Sequence, residues 1–255
     1  MAEGSDISDW FRSIPVITRY WFAASVCLPV LGSFGLLPMR LLFLLYEPIV
    51  YNFQFWRPIT AVFFYPITPM TGFSYLINLY FLYSYSTRLE TGIFDRRPAD
   101  YLFMLIFCWL LLVIAGFMVP LILLMNPLIM TVLYVWAQLN RDMIVSFFFG
   151  TQFKAMYLPW VLMAFNFITR GGWKEELVGI LVGHAYFFLA FKYPQDFGGQ
   201  NYLQTPQILY NYLPTVRGGV SGFGQAPASR RPAQENNDAP RQRHTWGSGQ
   251  TLGGQ

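Results

Sequence analysis

The sequence predicts an all-α membrane protein, a bundle of six transmembrane helices followed by a disordered cytosolic tail. Three observations predict it. Of the 255 residues, 55% are hydrophobic, 19% aromatic and only 12% charged, where a soluble domain carries about 25% charged residues. The charges are missing from long blocks rather than thinned out evenly, which points to lipid and not to a large core. The basic residues that remain collect on alternate connections.

The blocks set the span count. Tyr20 to Met39 is twenty residues without a charge, Pro58 to Thr87 thirty, Tyr101 to Asn140 forty, and Leu177 to Phe191 fifteen. Asp142 and Arg170 bracket twenty-seven more, interrupted by Lys154. A hydrocarbon layer of ~30 Å needs ~20 helical residues. The forty-residue block therefore fits two crossings, with Pro120, Asn126 and Pro127 supplying the turn, and each other block fits one. The first block is about twice as long as a signal-peptide core of ~7–15 residues, so it reads as an uncleaved anchor. Cys27 and Cys108 both fall in spans and read as buried thiols.

The elements follow in order. Residues 1–17 form a cytosolic segment in which Ile7, Trp10, Phe11 and Ile14 fall at i, i+3, i+4, i+7. That is an amphipathic helix stopped by Pro15, lying on the leaflet or packed against the spans. The membrane domain is residues 18–192. Its first span runs from Thr18 to about Leu36, and an apolar luminal segment follows to Arg57. The second span covers about 71–87, the third 101–119, the fourth 122–138, the fifth 145–168 with a kink at Pro159, and the sixth 175–191. The sixth is short: its fifteen uncharged residues rise only ~22 Å, which predicts local thinning of the bilayer. Residues 193–255 form the tail. From Pro214 it is Gly, Pro, Gln, Asn, Ser and Arg with almost no aliphatic residues, too polar to offset its ordering entropy.

Alternating connections place 13 of the 17 Lys and Arg on one side, and the positive-inside rule makes that side cytosolic, with both termini. An even span count requires the same. The tail holds five Arg between Arg217 and Arg243 against Glu235 and Asp238, too mild a charge for a nucleic-acid partner.

Several residues carry possible chemistry. Asn78, Gln138, Asn166 and His184 sit inside spans, where each either bonds a neighbouring helix or lines a polar cavity. Trp56-Arg57 reads as an interfacial anchor beside a lipid phosphate. Gly179 and Gly183 form Gly-x-x-x-Gly, which lets two helix backbones approach, with Glu176 one turn earlier. There is no Gly-rich phosphate loop, and two His and two Cys, dispersed, give no metal site. Neither cofactor nor metal is expected, and any mechanical work must come from a partner.

The chain resembles the Derlin family, relatives of the rhomboid proteases. The resemblance rests on Asp9-Trp10-Phe11-Arg12-Ser13-Ile14-Pro15, Trp56-Arg57-Pro58-Ile59-Thr60, Leu79-Tyr80-Phe81-Leu82-Tyr83, Arg88-Leu89-Glu90-Thr91-Gly92 and Tyr134-Val135-Trp136-Ala137-Gln138-Leu139-Asn140. It implies a rhomboid-like bundle. Rhomboids carry a Trp-Arg pair in their first loop, where Trp56-Arg57 stands. Active members have His-x-x-Gly-x-x-x-Gly in the sixth span, and Glu176 occupies the histidine's place. They carry Gly-x-Ser-x-Gly in the fourth, where this chain reads Leu128 to Ala137 without Ser or Gly. The resemblance thus implies a pseudoprotease with no catalytic residue.

Trp246-Gly247-Ser248-Gly249-Gln250-Thr251-Leu252 is similar to the SHP box, which binds the valosin-type hexameric AAA ATPase. Trp246, Gly247, Gly249 and Leu252 would carry that binding by adding a strand to a sheet edge and filling two pockets. The family implies an endoplasmic reticulum protein that helps move misfolded proteins to the cytosol for degradation, with membrane ubiquitin ligases, the ATPase and other Derlins as partners. Two alternatives stay open: an intramembrane serine protease using His184 with Ser146 or Ser74, and a membrane scaffold that transports nothing.

Overall fold

A computed structural model describes residues 3–146, 150–196 and 203–213. The described chain is helical apart from one short hairpin. A helix over Glu3–Ser13 (α1) is ended by Pro15, and Val16–Ser33 (α2) follows. The next segment carries a 3-10 turn, then Tyr46–Tyr51 (α3) and Arg57–Phe63 (α4). Gly72–Arg88 (α5), Pro98–Met118 (α6) and Met125–Leu139 (α7) come next. Strands Ile144–Ser146 (β1) and Gln152–Lys154 (β2) pair antiparallel. Leu158–Arg170 (α8) and Lys174–Phe187 (α9) complete the bundle, and Tyr193–Asp196 (α10) and Gln207–Tyr212 (α11) end the described chain.

The helices expected from the uncharged blocks are present, with four corrections. Asn126 and Pro127 do not make the turn after α6. They lie in the first turn of α7, where a proline costs no intrahelical bond. The fifth block is not helical from 145. Its first third is the hairpin, closed by an Asp142–Lys154 ion pair of 3.0 Å. Pro159 does not kink a helix, because it stands at the start of α8. The sixth span is not short. A π-helical turn over Phe188–Lys192 joins α9 to α10, so the helix runs 23 residues, Lys174–Asp196, and passes the boundary drawn at residue 192.

Among the described residues, three helices are long and apolar enough to cross a bilayer: Val16–Ser33, Pro98–Met118 and Lys174–Asp196. The short ones are α7 with 15 residues and α8 with 13, which rise only ~22 and ~20 Å. The helices too short for a full hydrocarbon layer are therefore the fourth and fifth spans, not the sixth.

Helix α7 is the hub. Every side chain from Met125 to Ala137 is buried, and α9, α5, α6, α8 and α4 all pack against it. An all-round buried helix needs no polar face, and its sequence has none.

Helix α1 packs against the spans through Trp10, which is 45% exposed and meets the rings of Phe22 and Tyr83 at 6.3 and 5.8 Å. Phe22 lies on α2 and Tyr83 on α5. Of the two placements open to this helix, contact with the spans is the one observed.

The start of α2 is clasped by Glu90. This residue lies in a π-helical turn, Leu89–Ile93, that extends α5. Its carboxylate accepts from the Ile17 and Thr18 amides at 3.0 and 2.8 Å and from the Thr18 hydroxyl at 2.7 Å. Thr18 also pairs with Ser86, and Ser86 with the Tyr101 hydroxyl. Free N–H groups at a helix start need acceptors and favour negative charge. Here the acceptor comes from 72 residues away in sequence, and the network ties α2, α5 and α6 at one membrane face.

After α10 the chain folds back. Thr205 donates to Asp100 Oδ1 at 2.6 Å, and the Tyr210 hydroxyl donates to the same oxygen. Residues 203–213 thus form a strap on α6, inside the region expected to be tail. The stretch from Pro214 onward lies outside the described residues.

Replacing Glu90 by Ala strands two amides and leaves the Thr18 hydroxyl with Ser86 alone, and should cost about 3 kcal/mol or more. Glu90→Gln keeps one acceptor and should cost less. Thermal unfolding in detergent, with both variants beside the parent, checks the order.

Candidate functional site

The site is built on the α7–α9 contact. Glycine gives α9 a flat side there, and α7 lies against it. A Cβ added at Gly179 would stand 2.4 Å from the Pro127 carbonyl oxygen and 2.9 Å from Met130 Cβ. At Gly183 it would meet Tyr134 Cβ at 3.0 Å and the Thr131 carbonyl at 3.1 Å. Only glycine permits this separation. The Thr131 hydroxyl uses it, donating to the Gly179 carbonyl across the helices at 2.8 Å and lying within 2.8 Å of the Pro127 carbonyl on its own helix. Sequence reasoning assigned both glycines to packing, and this is the partner.

One turn before Gly179, Glu176 is 3% exposed. It accepts from Asn166 Nδ2 of α8 at 3.0 Å. Beside it, Asn78 of α5 donates to Asn126 Oδ1 of α7 at 2.6 Å, and Asn126 donates to Glu175 of α9 at 3.0 Å. Five polar side chains from four helices thus converge. A cavity of about 10 Å³ among Asn78, Asn126, Asn166 and Glu176 has room for about one water. Phe81 of α5 and Leu162 of α8 also line it. Helix α8 leans on α7 and α9, while α5 and α8 pack little on each other. The cluster therefore lies between two helices that make few contacts with each other.

Asn78 and Asn166 were legible as polar residues inside spans. Asn126 stands in a helix rather than in the expected turn, and nothing in the local sequence marks Glu175. The signal for Asn126 is its place directly before a proline that can start a helix.

His184 stands two turns further along α9 and is exposed. Its Nδ1 pairs with the Tyr134 hydroxyl at 2.8 Å. Neither Ser146, on β1, nor Ser74, in the first turn of α5, is its partner.

Trp56 and Arg57 belong to a separate assembly. Trp56 is 48% exposed at the start of α4, as an interfacial indole should be. Arg57 is 4% exposed and does not face lipid phosphate. Its NH1 donates to the Arg40 and Phe43 carbonyls at 2.7 and 3.0 Å, and its Nε to Gln54 at 2.6 Å. Burial pushes its pKa down from the usual arginine value. The guanidinium is a clip that gathers the apolar 37–57 segment around one cation. A forked donor group is what such a clip needs, since it can serve several carbonyls at once. Trp246, Gly247, Gly249 and Leu252 lie outside the described residues.

A profile of the Der1-like family matches residues 14–207. The chain belongs to the Der1-like family. Derlin-1 of Homo sapiens is 64% identical over 251 residues, covering 98% of this chain and 100% of that protein. Derlin-1 of Drosophila melanogaster is 45% identical, covering 97% of this chain and 99% of that protein. Derlin-1 of Caenorhabditis elegans is 49% identical over 217 residues, covering 85% and 88%. Membership in the Der1-like family makes this a rhomboid-like helical membrane protein of the endoplasmic reticulum, of the kind that serves endoplasmic-reticulum-associated degradation. The Der1-like match takes in α2 through α10 and ends at the first residue of α11.

Gly179→Ala must push α7 and α9 apart, because the new methyl meets a backbone oxygen. A cost of about 1–3 kcal/mol is expected. Gly183→Ala, with contacts near 3.0 Å, should cost less. Thermal denaturation of the two variants in one detergent checks the order.

Proposed function

We propose that the protein helps retrotranslocate misfolded chains to the cytosol without cutting them, and that its tail recruits the valosin-type AAA ATPase that supplies the work. The polar cluster on α5, α7, α8 and α9 carries the reading. An extended chain in a bilayer brings unpaired amides and carbonyls, and each needs a partner that lipid does not offer. Asn78, Asn126, Asn166, Glu175 and Glu176 offer donors and acceptors between α5 and α8, which make few contacts with each other. Their bonds to each other can be exchanged for bonds to a passing backbone. The short α7 and α8 favour a thinner bilayer nearby, which shortens the apolar path.

The absence of cleavage rests on the same helices. A serine nucleophile needs a base within hydrogen-bonding reach. Glu176 stands where active rhomboids carry histidine, no serine lies between Leu128 and Ala137 of α7, and His184 is engaged by Tyr134. The topology in this reading is six spans with both termini in the cytosol, which puts the Trp246 to Gln255 peptide on the ATPase's side. Membrane ubiquitin ligases and further Derlin chains complete the machine as partners.

Two changes test the two halves. Deleting Trp246 to Gln255 should abolish co-purification of the ATPase while leaving membrane insertion intact; unchanged recruitment refutes the tail assignment. Asn126→Leu with Asn166→Leu should keep the ATPase bound yet slow export of a misfolded luminal reporter several-fold. Export at the parental rate would remove the cluster from the mechanism, and labelling of the pure protein by a fluorophosphonate would favour the protease instead.

A further inference from the structure

The strap that follows the last span has three faces, and the polar cluster plays no part in it. Residues 203–213 carry no charge, and Pro206 and Pro214 bracket their helical part, Gln207–Tyr212. With Gln207 at zero and about 100° per residue, Asn211 falls at ~40°, Ile208 and Tyr212 at ~100° and ~140°, and Leu209 and Tyr210 at ~200° and ~300°. Leu209 and Tyr210 are half-buried, and α11 packs on α6. Gln207 and Asn211 form an exposed polar face. Between these two faces, Ile208 is 66% and Tyr212 81% exposed.

Two spans fix the height of the strap in the membrane. Thr205 and Tyr210 donate to Asp100, in the first turn of α6. Leu213 borders a hollow that Val16, Ile17 and Tyr20 of α2 and Leu102 of α6 also line. Thr18 reaches Tyr101 through Ser86, so α2 and α6 start at one level. Helix α6 has 21 residues, and at 1.5 Å each they rise ~31 Å, about the thickness of the hydrocarbon layer. Its first turn therefore marks the hydrocarbon boundary, and the strap lies at that boundary. At the same level of α2, Val16 and Tyr20 are 47% and 71% exposed. The apolar face of α11 thus continues the outer surface of a span. Tyrosine suits this depth, with its ring among acyl chains and its hydroxyl among headgroups.

We propose that α11 lies in the plane of the leaflet at which α2 and α6 start, its third face covered by lipid. Ile208 and Tyr212 sink into the boundary between headgroups and acyl chains, Gln207 and Asn211 face water, and Leu209 and Tyr210 rest on α6. A helix of six residues is too short to persist alone. The Asp100 bonds and the contact with α6 hold it, and the bilayer supplies the remaining apolar contact. Residues 203–213 are then a membrane anchor in their own right, beside the spans.

Electron paramagnetic resonance of the full chain in phosphatidylcholine nanodiscs tests this. Gln207→Cys, Ile208→Cys, Asn211→Cys and Tyr212→Cys each take one nitroxide in a Cys27→Ala background, where the remaining Cys108 is buried. Collision with a water-soluble nickel chelate should be about fivefold lower at 208 and 212 than at 207 and 211, and collision with oxygen, which concentrates in lipid, should be higher. Equal nickel access at all four positions puts α11 in water and overturns the proposal. Exclusion of both nickel and oxygen at 208 and 212 overturns it in favour of a protein contact. A second measurement leaves the lipid face unlabelled. With the nitroxide on Leu209→Cys, adding Ile208→Asp and Tyr212→Asp should lift the helix and raise nickel access about threefold; an unchanged value overturns the proposal.

Discussion

Everything in the bundle is referred to the close approach of α7 and α9. Two glycines four residues apart let the helices come near enough for Thr131 to bond a carbonyl of the neighbouring helix. In lipid, where apolar side chains gain little by leaving one apolar surface for another, such contact and dispersion must hold helices together. Once α9 lies against α7, Glu176 is carried into the interior and α7 is buried on all sides. The other helices then pack on α7 as on a core.

The polar groups show the complementary constraint. Within hydrocarbon a polar group needs a partner, and at two places the chain supplies it in different styles. At the α2 start the match is saturated: Glu90 takes three donors and the chain of hydroxyls continues to Tyr101. At the α7–α9 start the match is made by side-chain amides, which both donate and accept and can change partners. The first arrangement locks helices. The second leaves exchangeable groups between two helices that make few contacts with each other. The difference separates scaffold from site within a single membrane domain.

Much of this was legible in the residues. Charge-free blocks place helices, because a bilayer punishes charge wherever it falls, and Gly179 and Gly183 announce a close contact by spacing alone. Three features were not legible. Glu90 reads as one charge in a loop, and only the fold brings it to an amide pair more than seventy residues away. Arg57 reads as a lipid anchor because local sequence gives no hint of the carbonyls that Arg40 and Phe43 present to it. The fifth block reads as one long helix because hydropathy is blind to the difference between an apolar strand and an apolar helix. Likewise a π turn carries no compositional mark, so the true length of the last helix was hidden behind Lys192.

The strap alters how the membrane domain meets a load. Residues 203–213 stand between the tail and the long last helix, and they are fastened to α6 through the carboxylate of Asp100. Any tension applied from the C-terminal side would arrive first at α6, whose own start shares the Ser86–Tyr101 contact with α2 and α5. The last helix feels the pull only after both hydroxyls have let go of that one oxygen. The fastening would thus share a modest pull among three helices before the last helix carries it alone.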